Sequence, residues 1–251
     1  MRLVINADDF GLSDGVCNGI LQAMRLGRVS STSAMLCVPG SVERLAAAVD
    51  ALAGRVGVHC QLTNGEPCLP PDAVPTLVGG EGRFPLHAIG DVSAAEVESE
   101  WRAQIDRFLG LGLYPTHLDS HHHVHRQPAL TAILAELARE LGAVVRGVDP
   151  AMTFWLRAQG VRCADTCERS WFRRDPTFKG LASVLTRAAA QAGSAAVVEL
   201  MCHPGVVDDA LRARSRYVAE RELELAALCS DELPSLLERL GITIVPMSAL
   251  Q

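Results

Sequence analysis

The 251-residue chain has no apolar run near the ~18 residues that a membrane-crossing helix needs, although 49% of its residues are hydrophobic. It also has no excess of positive charge. Lys and Arg number 23 against 29 Asp and Glu, a formal net charge of −6, the wrong sign for a nucleic-acid surface. No Cys-x-x-Cys occurs among Cys17, Cys37, Cys60, Cys68, Cys163, Cys167, Cys202 and Cys229. Such scattered thiols in a long chain exclude a disulfide scaffold and point to reduced, mostly buried cysteines. Cys60 and Cys202 adjoin His59 and His203, so thiolate ligation of zinc is conceivable there. The N-terminus lacks the features of a secretory leader, because Met1–Ile5 runs straight into carboxylates. A cytoplasmic location is therefore expected. Aromatics are scarce, at 4%, so the group Phe154, Trp155, Trp171 and Phe172 stands out. It offers either a sugar-stacking surface or ordinary core.

Short β-branched runs alternate with longer amphipathic segments. Strands are expected at Leu3–Ala7, Thr32–Val38, Val56–Cys60, Pro115–Leu118, Ala143–Arg146, Val161–Ala164, Ala195–Met201 and Ile242–Val245. Helices are expected at Asp14–Leu26, Val42–Leu52, Ala94–Leu111, Pro128–Leu141, Leu181–Ala192, Arg216–Leu228 and Leu233–Leu240. Gly27, Gly142, Gly193 and Gly241 follow four of them as stop signals. Seven or eight parallel strands in one domain spanning 1–251 suit a (β/α) barrel better than a doubly wound sheet. Two stretches, 62–93 and 149–178, lack a clear period and read as long functional loops. Arg212, Arg214, Arg216 and Arg221, interleaved with Glu220, Glu222 and Glu224, read as a solvated helix face.

Five of the eight histidines fall within nine residues: His117, His121, His122, His123 and His125. Imidazole is the commonest metal ligand and the side chain that titrates near neutrality. In parallel α/β folds the chemistry gathers at the carboxyl ends of the strands. There lie Asp8 and Asp9, His59, the histidine cluster with Asp119, Arg146, and Glu199 followed by His203-Pro204-Gly205. Adjacent carboxylates after an apolar strand repel each other and want a cation. At a frayed strand end one can ligate while the other takes a proton. A catalytic divalent site usually has three protein ligands and an open position. Five clustered histidines therefore exceed one ion's needs, and some must orient ligands through the second ring nitrogen. Asp119 could be such an orienting group. His203 on its tight turn suits a general acid. His87, isolated in a loop, reads as surface.

The stretches Asn6–Ser13, Gly57–His59, Thr116–His125 and Glu199–Gly205 together resemble the YdjC/ChbG family of carbohydrate deacetylases. The resemblance implies a distorted (β/α) barrel related to polysaccharide deacetylases, often a homodimer. It implies a divalent metal that helps remove acetyl groups from N-acetylated amino sugars such as chitin disaccharide. It makes Asp9, His59 and His121 the metal ligands, Asp8 the catalytic base and His203 the acid, acting as imidazolium. Arg146 would orient the base. His117, Asp119, His122, His123, His125 and Glu199 would support these residues or meet substrate. The resemblance implies Mg²⁺, whereas two imidazoles and a carboxylate suit Zn²⁺, Co²⁺, Ni²⁺ or Mn²⁺ better. Rival readings are a barrel metallohydrolase on phosphoesters or cyclic amides, its second ion held by His122, His123 and His125, and a non-catalytic sugar or metal binder.

Overall fold

A computed structural model describes residues 1–250. Eight strands form one sheet: β1 (Arg2–Phe10), β2 (Ser31–Ala34), β3 (Val56–Cys60), β4 (His117–Ser120), β5 (Val144–Val145), β6 (Thr166–Glu168), β7 (Val197–Cys202) and β8 (Thr243–Ile244). The path runs β5-β4-β3-β2-β1-β7-β6, with β8 also on β1, and every pairing is parallel. The helices are α1 (Asp14–Arg25), α2 (Ser41–Ala46), α3 (Val49–Leu52), α4 (Ala94–Leu109), α5 (Pro128–Leu141), α6 (Pro150–Ala158), α7 (Phe178–Gln191), α8 (Asp209–Arg214), α9 (Ala219–Leu228) and α10 (Glu232–Arg239).

The sheet curls on itself. Val4 of β1, Val144 of β5, Val197 of β7 and Ala164, in the coil before β6, meet in one small apolar cluster around the fully buried Met247. The Val145 amide also donates to the Arg162 carbonyl at 2.9 Å, tying β5 to the segment before β6. The two ends of the path thus approach each other, and Met247 stoppers the amino-terminal end of the strands. The fold is a distorted (β/α) barrel, as the sequence predicted, and not a doubly wound sheet. β1 is buried from Leu3 to Phe10, the mark of a central parallel strand covered on both faces.

Several elements follow from local signals. Ser13 caps α1 by accepting from the Val16 amide, which frees Asp8 and Asp9 from that task. Gly57 leaves room for the neighbouring strand: a Cβ there would lie 2.3 Å from the His117 carbonyl oxygen and 2.6 Å from its ring carbons. Three expectations need correction. The strand expected at Val161–Ala164 forms instead at Thr166–Glu168. Val161, Cys163 and Ala164 are buried, but as core-filling coil outside the ladder. The stretch 149–178 is not all loop, because it holds α6, capped by Asp149 with Pro150 in its first turn. The expected helix Val42–Leu52 is broken into α2 and α3.

Candidate metal centre

Neighbours along a strand point to opposite sides, so Asp8 and Asp9 should diverge. They converge because β1 is irregular. Its register against β2 shifts between Ala7 and Phe10, and Asp9 has φ 70°. Aspartate tolerates this left-handed conformation better than most residues. Gly11, at φ 98°, completes the departure from the strand. Asp9 Oδ1 then lies 3.1 Å from His121 Nδ1 and 3.4 Å from His59 Nε2, and the two imidazole nitrogens are 3.4 Å apart. His121 is brought there by a tight turn after β4 in which His122 and His123 both take left-handed φ, 55° and 53°.

These three atoms form a compact donor set. The point equidistant from the corners of such a triangle is about 1.9 Å from each, close to the ~2.0–2.2 Å of imidazole and carboxylate bonds to zinc-class ions. An ion slightly above the plane would therefore reach all three and keep its far side open. The orientation of the donors also fits. His59 Nδ1 lies 2.7 Å from Asp119 Oδ1, and a carboxylate can only accept, so Nε2 is left to face the centre. Asp9 Oδ2 is taken by Arg221 at 2.6 Å, whereas Oδ1, fully buried, makes no hydrogen bond.

Charge points the same way. Asp8, Asp9, Asp119 and Glu199 are all buried, and the guanidiniums beside them are Arg146 and Arg221. Arg146 is completely buried. It forks onto Asp8 with two 2.7 Å bonds, reaches Asp119 Oδ2 at 2.8 Å and donates through Nε to Glu199 Oε1 at 2.7 Å. The shortfall of positive charge is visible on His59. Burial alone would discharge that ring, yet Asp119, Asp9 and Asp8 outweigh it and lift it to about 10. Burial pushes Glu199 up to about 7 despite Arg146. Burial would also raise Asp9, but Arg221, His121 and His59 hold it well below the usual carboxylate range. A second donor set, Asp8, His59 and Asp119, already has its cation, because two of its members are gripped by Arg146.

The remaining cluster members are mostly struts. His117 lies fully buried, with Nε2 3.0 Å from Ser33 Oγ and Nδ1 2.8 Å from Thr116 Oγ1. His125, also fully buried, bonds Ser120 and places Nε2 3.2 Å from the Arg146 carbonyl. His122 accepts or donates at Thr63 Oγ1, 3.0 Å away, and stacks on His121 with ring centres 3.9 Å apart. His123 sits edge-on to His125 at 6.1 Å. His87 is exposed, as expected, though its ring meets His122 edge-on. His122, His123 and His125 do not join a donor set among the described residues. Neither do Cys60 and Cys202, and the Cys202 thiol donates to the Asn6 carbonyl.

Burial holds His117 and His125 near 4. An unfolded chain protonates these rings below about 6.5, while the folded chain does not until about 4. Their contribution to stability is therefore complete above pH 6.5 and is lost as pH falls toward 4. In metal-free protein, each ring should lower stability by roughly 1 kcal/mol per pH unit between pH 7 and 4.5. Glu199 and Glu224, raised to about 7, act in the opposite sense over the same window, so the rings are read singly by imidazole NMR titration, and a ring that protonates near 6.5 would contradict neutral burial.

His203, half-buried, is likewise pushed down to about 4 by burial. Burial thus favours the neutral form of the resting ring. Its Nδ1 has no partner, and its ring packs 4.6 Å from Phe172. Of the four clustered aromatics only Phe172 reaches this rim. Trp171 is core, and Phe154 is 77% exposed.

The expected solvated face of α9 is wrong for Arg221 and Glu224, which are 3% and 0% exposed. Glu224 accepts from the His203 amide and from the Tyr217 hydroxyl, both at 2.5 Å. Burial raises its carboxyl to about 7. The signal was present, since Arg221, Glu224, Leu225 and Leu228 follow i, i+3, i+4, i+7 spacing, the period of a buried helix face. Ser33 and Asn6 were also missed. Ser33 donates to Asp119 Oδ2, and Asn6 donates to both Asp8 Oδ1 and Ser33 Oγ, each at 2.8 Å.

Fold and site define a class: a parallel (β/α) barrel with imidazoles and carboxylates gathered at the carboxyl ends of its strands. Within that class, a family model described as YdjC-like protein matches residues 2–239, and the chain belongs to that family. A carbohydrate deacetylase of Oceanobacillus iheyensis is 37% identical over 249 residues, covering 95% of this chain and 100% of that protein. The crystal structure of an Enterococcus faecalis protein described as a cellobiose-phosphate cleavage protein superposes with TM-score 0.91 at 33% identity, covering 99% of this chain and 98% of that one. A peptidoglycan N-acetylglucosamine deacetylase shares the fold at TM-score 0.51 and 12% identity, covering 99% of this chain and 87% of that one. No helix among the described residues is long and apolar enough to cross a membrane.

Proposed function

We infer that this chain is a metal-dependent deacetylase that releases acetate from N-acetylated amino sugars or short oligosaccharides of the chitin-disaccharide kind. The reading is carried by the triangle of Asp9 Oδ1, His59 Nε2 and His121 Nδ1, and the name borne by its relatives supports it. Asp9, His59 and His121 would hold one divalent cation. That cation would polarise the acetyl carbonyl and lower the pKa of water from ~16 toward ~7. Mg²⁺ is the family expectation, but the donor set favours Zn²⁺ or a similar transition ion. The same reading carries a cytoplasmic enzyme working as a homodimer.

Asp8 takes the proton of the attacking water. Arg146 and Asn6 fix its carboxylate, so its orientation does not depend on substrate. His203 protonates the departing nitrogen as the C–N bond breaks. Its resting ring is neutral, so it must load that proton within the turnover, and the water's proton is the source that balances the reaction. Asp9 and Asp8 both favour the charged ring and so help that loading. Phe172 beside His203 offers an apolar face to a sugar ring.

Incubation with diacetylchitobiose and a panel of N-acetylated sugars should release acetate. Chelator should abolish the release, and added Mn²⁺ or Zn²⁺ should restore it. Acetate release that survives exhaustive chelation would overturn the metal dependence. No release from any amide, with hydrolysis of phosphoesters or cyclic amides instead, would overturn the deacetylase reading.

A further inference from the structure

A second cluster lies outside this centre and uses different chemistry. Cys37 follows β2, Cys68 lies in the 62–93 loop and Glu100 sits on α4. The two sulfurs are 3.8 Å apart, and Cys37 Sγ is 3.8 Å from Glu100 Oε1. One atom from each of the three residues falls within 4.8 Å of the others. Two thiolates sharing a tetrahedral zinc-class ion, each ~2.3 Å from it, stand about 3.8 Å apart.

Glu100 supplies an independent reason. It is 0% exposed, and its carboxylate accepts from the Cys68 amide at 2.8 Å, the Leu69 amide at 3.0 Å and Gln104 Nε2 at 2.8 Å. No cationic side chain pairs with it among the described residues. A buried carboxylate normally has a countercharge. The nearby guanidinium of Arg107 spends Nη1 on the Leu36 carbonyl. A cavity of about 260 Å³ opens beside Cys37, lined by Val42, Glu43, Glu66, Pro67 and Arg107 among others. The cavity reaches the Cys37 side of the cluster; Cys68 and Glu100 do not line it.

We propose that Cys37, Cys68 and Glu100 form a binding site for a thiophilic divalent cation of the zinc class, separate from the deacetylase centre. Binding deprotonates both thiols and releases two protons. The ion would staple the 62–93 loop to the strand that precedes Cys37 and to α4. That loop carries Thr63, the partner of His122, so the staple would steady one wall of the mouth.

The test uses the intact, fully reduced chain under anaerobic conditions. Titration with Co²⁺ should develop a near-ultraviolet thiolate-to-cobalt charge-transfer band, which the sulfur-free donor set of Asp9, His59 and His121 cannot produce. Cys37→Ser and Cys68→Ser should each remove the band. Because a serine variant can fail to fold, the unaltered protein gives a second readout: saturating Zn²⁺ should slow alkylation of Cys37 and Cys68, mapped by peptide, at least tenfold. Absence of the band, its survival in Cys68→Ser, or alkylation indifferent to Zn²⁺ overturns the site. So does a Cys37–Cys68 disulfide that forms equally fast with Zn²⁺ present. None of these readouts is an activity measurement, so their failure is distinct from failure of the deacetylase reading.

Discussion

Asp8→Asn should lower kcat by at least about 100-fold, within the 10²–10⁴-fold range of a lost general base, while the protein keeps its ion. The substitution is nearly isosteric and leaves Asp9, His59 and His121 unaltered. What it removes is the carboxylate proposed to take the water's proton. It also places an amide where Arg146 expects two acceptor oxygens, so one charge-assisted bond is lost. Kinetics and elemental analysis on one preparation separate the effects. A fallen kcat with full metal content supports the base. Near-normal turnover refutes it, and lost metal would make Asp8 a ligand instead.

Arg146→Met should cost more stability than any other single change at the mouth. The guanidinium is the shared counterion of Asp8, Asp119 and Glu199. Removing one partner of a buried pair leaves an uncompensated charge and costs ~3–5 kcal/mol. Against a total of roughly 5–15 kcal/mol, that is a large share. For a chain of this size it corresponds to a Tm drop on the order of 10 °C. Arg146→Lys separates charge from geometry. It keeps a cation but not the fork, so it should recover part of the Tm while kcat stays low, because Asp8 is no longer held in plane. A methionine variant as stable as the parent, by thermal unfolding, would show that the three carboxylates do not depend on this residue.

Much of this architecture is legible in the chain. β3 spans Val56–Cys60 and α5 spans Pro128–Leu141 as expected, because each has a clean start or stop: an apolar run in one case, Pro128 and Gly142 in the other. β6 was misplaced because Val161, Cys163 and Ala164 are apolar for burial, and periodicity cannot tell buried coil from a buried strand. The site divides similarly. Residue chemistry brought Asp8, Asp9, His59, Arg146 and His203 to one rim, since strand ends are marked by polar residues after apolar runs. It left the histidine cluster unresolved. Only the family resemblance singled out His121, and the left-handed turn at His122 and His123 that delivers it has no sequence signature of its own. The bulge that turns Asp9 beside Asp8 is foreshadowed only by Gly11. Arg221 was misread by its company: Arg212, Arg214 and Arg216 are exposed, and the switch to a buried face occurs within four residues.

The most direct measurement is anomalous diffraction from crystals soaked in Mn²⁺, an ion with little liking for thiolates. One strong peak should lie within bonding distance of Asp9 Oδ1, His59 Nε2 and His121 Nδ1 together, and it should vanish in His59→Ala. A peak that touches only one of the three, or one that persists unchanged in that variant, would contradict a shared cation at the mouth of this barrel.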